Sequence, residues 1–173
     1  MAIELTEALA RLLSDAPLRR DFARDPAGMA RALEVAEAHR AAFCSMRGEQ
    51  LDAQAAVLVG KRFHEVAALL PRTFERLGDA ARTLFGAHAE TFWPTGHRRH
   101  IEDAVAFGEF IIERNPAFAD VAELNRLRFL SGGRWVRFHF VGVRVPGPRP
   151  RRALQVLYRT PADVRSWLLH LGT

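Results

Sequence analysis

The sequence predicts an α+β protein, mainly α, in which a helical N-terminal body precedes a small β-hairpin plus helix at the C-terminal end. Two observations support this prediction. Apolar residues recur at helical spacing through most of residues 1–133, and the period changes to 2 within residues 134–159. Proline and glycine occur between these stretches, at positions where a helix or strand is expected to end. We therefore expect N-terminal short helices in residues 1–48, a helical body in residues 49–131 and a basic β-hairpin with a terminal helix in residues 132–173.

The first two regions are predicted to be a series of helices with marked ends. Asp25-Pro26 has the form of an N-cap followed by proline at the first helical position. In the helical body, breaks are expected at Pro71, at the loop 93–96, at Asn115-Pro116 and at Gly132-Gly133.

The hairpin is predicted from side-chain alternation. Val136, Phe138 and Phe140 should face one side of the first strand, and Arg137 and His139 the other. The valines that follow break this phase, so we expect a bulge near position 142. A turn at residues 146–150 leads into a second strand over residues 153–159.

The last segment is predicted to be a helix. Thr160-Pro161 has the form of a helix start. Val164, Trp167 and Leu168 then recur at helical spacing.

The positive charge of the chain is concentrated in its C-terminal region. The net charge is +5, but residues 134–173 contain eight arginines and one acid, which gives +7 there and leaves −2 for residues 1–133. Lys61 is the one lysine of the sequence, so the positive charge is almost all guanidinium, and in a G+C-rich genome this preference for arginine needs no functional cause. In either case the result is a basic patch that attracts acidic peptides or phosphates.

A two-stranded hairpin has edges with unpaired backbone groups, and a peptide can add to such an edge as a further strand. The alternative is that arginine only protects the edge from aggregation. The candidate peptide-binding residues are Arg134, Arg137, His139, Arg144, Arg151, Arg152 and Arg159.

No pattern of catalytic residues is apparent. His97 and His100 could share a helix face, but Arg98 and Arg99 between them oppose a metal cation. Cys44 has no base supplied by a nearby motif. We therefore expect no catalytic site and no metal or other cofactor in this chain. The lone cysteine and the lack of any apolar run of ~20 residues favour a cytoplasmic protein that does not enter a membrane.

Three segments, residues 61–77, 93–107 and 119–127, are similar to partner proteins of multinuclear non-heme iron-dependent oxidases (MNIO). The resemblance covers roughly residues 50–170. It implies helices followed by a small domain, winged-helix-like, that resembles the recognition elements for leader peptides of ribosomally made, post-translationally modified peptides (RiPPs).

The resemblance implies a non-catalytic accessory subunit. Its partners would be the precursor peptide and an oxidase subunit that holds the iron. Candidate docking residues for that oxidase are Trp93, His97, Arg98, Arg99, His100 and Asp103. The alternative is a nucleic-acid-binding protein, with the basic hairpin as the wing of a winged helix.

Overall fold

The computed structural model describes residues 2–143, 151–161 and 163–171. In these ranges it has nine helices and one small antiparallel sheet of three strands, which confirms an α+β fold that is mainly α. The elements are α1 (Leu5–Ser14), α2 (Ala16–Arg24), α3 (Pro26–Ala32), α4 (Glu37–Cys44), α5 (Gly48–Leu69), α6 (Pro71–Leu77), α7 (Ala80–Thr91), α8 (Arg99–Arg114), α9 (Val121–Ser131), β1 (Val136–Val143), β2 (Arg151–Arg159) and β3 (Val164–His170).

The predicted helix boundaries have their expected chemistry. The Asp25 carboxylate accepts a hydrogen bond from the Gly28 N–H at 2.8 Å, and Pro26 is the first residue of α3. Pro71 begins α6 directly after α5. Asp120 caps α9 by accepting from the amides of residues 122 and 123.

The chain divides into two compact units. The first comprises Met1–Arg62 and Ala89–Trp93. Its core contains Phe22 and Phe43, whose rings meet edge to face with centroids 5.1 Å apart. A parallel bridge between Ile3 and Val35 ties the segment before α1 to the segment before α4.

The second unit comprises Phe63–His88 and Pro94–Thr173. Its helices pack through aromatic rings, among them Phe63, Phe85 and Phe107. His88 on α7 and Asp103 on α8 lie within this core, with 3.0 Å between Nε2 and Oδ1 and both side chains 2% exposed. The same unit contains α9 and the sheet.

The predicted hairpin is confirmed, because β1 and β2 pair antiparallel from Val136↔Tyr158 to Val143↔Arg151. The predicted terminal helix is wrong, since Val164–His170 is strand β3, paired with β2. Thr160 and Asp163 close a tight turn, with the Thr160 N–H donating to the Asp163 carbonyl at 2.8 Å. The same Thr-Pro signature that starts helices also serves such turns. Pairing β3 with β2 satisfies backbone groups that a helix would leave at an open edge.

Candidate functional site

The sheet is a meander of order β1-β2-β3, so β2 is central and β1 and β3 are edge strands in the described ranges. The Arg159 N–H donates to the Trp135 carbonyl at 2.8 Å, which makes 135 and 159 a hydrogen-bonded pair. Such pairs alternate along antiparallel strands. The backbone N–H and C=O groups of residues 136, 138, 140 and 142 therefore point away from β2, toward the open side of β1.

The inner face of the sheet packs on α9. Ala153, Leu157 and Val164 are buried there, and Leu157 and Val164 form a cluster with Phe129 of α9. The regular pairing Gly142↔Arg152 shows no bulge at Gly142, so that expectation was wrong. The alternation continues without a break along β1.

Gln155 supplies a polar centre to this inner face. Its side chain is 1% exposed. Its Nε2 donates to the Ala122 carbonyl at 2.8 Å and to Ser166 Oγ at 3.2 Å, and its Oε1 accepts from Asn125 Nδ2 at 3.3 Å. One amide therefore connects β2, β3 and α9 and fixes how the sheet lies on the helix.

The outer face of the sheet is apolar and exposed. Cross-strand pairing arranges it in three rows: Phe140, Leu154 and Leu169; Phe138, Val156 and Trp167; Val136, Tyr158 and Arg165. Phe140 is 78% exposed, Phe138 63% and Trp167 59%. The Tyr158 and Trp167 rings meet edge to face at 5.6 Å. We call these nine residues the outer face.

The predicted peptide-binding residues do not form one array. Arg134 is exposed just before β1, and Arg151 and Arg152 are exposed at the start of β2. Arg137 is half-buried on the inner side of β1. Arg144 lies outside the described residues.

Arg159 has a structural role that the sequence did not reveal. Its guanidinium donates to the Phe129 carbonyl at 3.2 Å and to the Gly132 carbonyl at 2.8 Å. The same group lies 5.7 Å from the centre of the Phe129 ring. Arg159 thereby holds the C-terminal end of α9 to β2.

His139 lies beside Arg137 and Gln155, on the inner side of β1. Desolvation by burial lowers the pKa of its imidazole, and the positive charges of Arg137 and Arg128 lower this pKa further. Its Nε2 is buried with no hydrogen-bond partner among the described residues. The lowered pKa favours the neutral imidazole, so His139 adds little positive charge to a basic patch.

The predicted docking residues are divided between the two units. In the first unit, Trp93 is half-buried and the Arg62 guanidinium lies 4.8 Å from its ring centre. In the second unit, residues 97–100 are exposed at the start of α8. Asp103, expected on the same surface, is 1% exposed, so that prediction was wrong. The helical phase of α8 turns its carboxylate into the core beside His88.

Two groups of residues that the sequence kept apart share one cleft of about 730 Å³ in the second unit. His97, Arg98 and Glu102 line one side, and Trp135 and Arg159 line another. Arg98 also donates to the Leu130 carbonyl at 2.8 Å. Because Gly132, Gly133 and Trp135 also line it, the cleft lies at the start of β1, where Arg134 is exposed.

The described residues contain no group of three or more His, Cys, Asp or Glu side chains that could hold a metal ion. Cys44, at the end of α4, is half-buried. Across the described ranges, no helix is both long and apolar enough to cross a membrane.

Residues 46–112 match the family model described as SCO6045-like, C-terminal domain. The function of that family is unknown. The match spans α5 to α7 and most of α8, and the sheet lies outside it. No curated protein and no solved structure matches the chain.

A polar network that sequence reasoning missed joins α6 to α9. The Glu123 carboxylate accepts from the Arg72 N–H at 2.8 Å, the Thr73 N–H at 3.1 Å and Thr73 Oγ1 at 3.2 Å. Burial raises the pKa of Glu123, although the hydrogen bonds from Arg72 and Thr73 lower it in part. Arg76 donates to Asp120 at 2.8 Å. The network supports the helix on which the sheet rests.

The exposed aromatic residues Trp135, Phe138, Phe140 and Trp167 were not assigned to a site by sequence reasoning. Trp167 was expected on the buried side of a helix. Alternation had correctly separated Val136, Phe138 and Phe140 from Arg137 and His139, but it does not indicate which of the two faces packs on α9.

Proposed function

We propose that this chain is a non-catalytic accessory subunit that binds a precursor peptide along β1 and presents it to a multinuclear non-heme iron-dependent oxidase in RiPP biosynthesis. The observation that supports this proposal is the open side of β1, where outward backbone groups lie between the apolar outer face and a side that carries Arg137. The iron and its ligands would belong to the oxidase. The resemblance of residues 61–77, 93–107 and 119–127 to partner proteins of such oxidases suggests the enzyme.

Strand addition would give the peptide its affinity. The outward N–H and C=O groups of residues 136, 138, 140 and 142 are those a further strand would pair with. Each backbone hydrogen bond contributes about 0.5–1.5 kcal/mol net, so several together hold a peptide of modest length. The pairing is independent of peptide sequence.

Side chains beside β1 would give the peptide its specificity. A strand next to β1 would place alternate side chains beside Phe138 and Phe140 on the outer face, and the others beside Arg137 on the inner side. Arg134 lies exposed at the start of β1. The peptide that fits best alternates apolar residues with Asp or Glu.

The end of such a peptide would reach the cleft lined by His97, Arg98 and Trp135. Because His97 and Arg98 are exposed and basic, they suit an acidic peptide segment as well as the oxidase contact first expected for them. Arg99 and His100 remain candidates for that contact.

A nucleic-acid-binding winged helix gains no specific support. The exposed face of the sheet carries aromatic and aliphatic side chains over most of its area, whereas phosphate contacts need arginine or lysine. The element after the hairpin is a strand.

The experiment is a titration of the precursor peptide encoded beside this chain, labelled with fluorescein, and followed by fluorescence anisotropy. Phe138→Pro removes one outward N–H without removing a β1–β2 hydrogen bond. Phe138→Thr is the matched control, since it loses the same ring but keeps the N–H. We expect Phe138→Pro to bind about tenfold more weakly than Phe138→Thr.

Gly142→Pro with Gly142→Ala repeats the comparison near the other end of β1, and circular dichroism verifies the fold of all four variants. Equal affinities within both folded pairs would disprove strand addition at β1. No binding of the peptide to the native chain would disprove the proposed function.

A further inference from the structure

The outer face is unusual in its exposed apolar area. An aromatic side chain can bury about 150–250 Å², so the exposed fractions of Phe138 (63%), Phe140 (78%) and Trp167 (59%) leave about 400 Å² of ring surface in water. Val136 and Leu169 are each about half exposed and add to it. The largest apolar patch of a typical monomer is about 300–600 Å² and is often functional. This area is a large share of the ~800 Å² that one partner contributes to a standard protein interface.

The charges at the ends of the outer face indicate whether a second copy of this chain or a different protein binds there. Arg165 belongs to the last row of the outer face, and Arg152, two residues before Leu154 on β2, lies exposed on the same side of the sheet beyond the first row. Residues 134–173 contain eight arginines and only Asp163 as an acid. Two copies packed face to face with their strands aligned would bring arginines together in either direction. The fitting occupant is a different protein, with an apolar centre and carboxylates at its margin.

We propose that the outer face, rather than residues 93–103, is the main surface on which the oxidase docks; this inference rests on the proposed function. A peptide paired with the open side of β1 would leave β2 and β3 uncovered on this face. Trp167 is the central anchor, because its ring is fixed against Tyr158 and lies in the middle row. Arg152 and Arg165 steer the acidic margin of the enzyme into place.

The test uses the purified full chain and the purified multinuclear iron-dependent oxidase encoded beside it, with affinity measured by biolayer interferometry. The double variant Trp167→Thr/Leu169→Thr removes apolar groups from β3, away from the peptide edge, and keeps residues that favour strands. Val57→Thr is the matched control, because Val57 is a 71% exposed apolar residue on α5 in the first unit.

We expect the double variant to bind the oxidase at least ~30-fold more weakly, Val57→Thr to bind it as the native chain does, and both to keep peptide affinity. Arg152→Glu/Arg165→Glu should slow association and reduce its dependence on salt.

If the native chain binds the oxidase and the double variant binds it equally well, this inference is overturned while the proposed function stands. If the native chain binds peptide but not oxidase, both fail. Light scattering tests whether a second copy of this chain covers the outer face instead. If the native chain is a dimer and the double variant is a monomer, the outer face is a dimer interface and the inference is overturned.

Discussion

Replacement of Arg159 by alanine should destabilise the second unit without touching an exposed binding residue. The substitution removes two hydrogen bonds from a charged donor to the Phe129 and Gly132 carbonyls at the end of α9. Hydrogen bonds to charged groups contribute about 1.5–3 kcal/mol each when buried. The bond to Gly132 is exposed to water, so we assign it only about 0.5 kcal/mol. The guanidinium cation also interacts favourably with the negative end of the helix dipole of α9, which contributes about 0.3–1 kcal/mol.

The expected loss is therefore about 2–4.5 kcal/mol in the free energy of unfolding, measured by urea denaturation followed by circular dichroism. Both bonds come from the same guanidinium nitrogen, Nη2. Arg159→Lys keeps the charge, but its shorter side chain ends before the Nη2 position, so it should lose about 1–2 kcal/mol. Arg165→Ala, an exposed arginine on β3, is the matched control and should change stability by less than about 0.5 kcal/mol. An Arg159→Ala variant as stable as this control would refute the structural role of Arg159.

Three further perturbations test other parts of the second unit. Glu123→Ala leaves the amides at the start of α6 and the Thr73 hydroxyl without their acceptor, and urea denaturation should show a loss of about 1–3 kcal/mol; a loss below 0.5 kcal/mol would contradict the network. Gln155→Leu leaves the buried Asn125 amide without its acceptor and the Ala122 carbonyl without its donor, and it should lower the unfolding temperature by several degrees; an unchanged unfolding temperature would contradict the role of Gln155. The pKa of His139 is lowered in the folded state, so its contribution to the stability of the fold is complete above pH ~6.5 and is lost as pH falls through the folded pKa. Between pH 7.5 and pH 5 the unfolding temperature should therefore fall less for His139→Gln than for the native chain. An identical fall in the two proteins would contradict the burial of His139.

The helices and their ends were predictable because proline, glycine and capping residues act locally. Asp25-Pro26 and Pro71 have the roles that their sequence context indicates. The two paired strands were predictable for a similar reason, since side-chain alternation is a local signal. The predicted turn at residues 146–150 lies outside the described residues.

The third strand was not predictable from local pattern. Val164, Trp167 and Leu168 fit helical spacing and also fit a strand whose two faces differ little in polarity. Pairing with the free side of β2 selects the strand over the helix, and this long-range pairing is not contained in the local propensities of the residues. The outer face was missed for the same reason, since half of it depends on this pairing.

The burial of Asp103 and the hydrogen bonds of Arg159 to the end of α9 were also not predictable from the sequence. A carboxylate next to Glu102 on a helix is usually exposed, whereas Asp103 lies in the core, where His88 approaches it from α7. Arg159 is one arginine among eight in residues 134–173, and the carbonyls of α9 distinguish it.

The outer face also has a consequence for the colloidal behaviour of the isolated chain. Net positive charge keeps molecules apart in dilute buffer over a screening length of about 10 Å at 0.1 M salt, which falls to about 3 Å at 1 M. As salt shortens that distance, the repulsion between arginines weakens while the attraction between exposed aromatic rings strengthens. The osmotic second virial coefficient should therefore change from positive to negative as sulfate is added. Low-salt buffer is the condition for concentrating this protein.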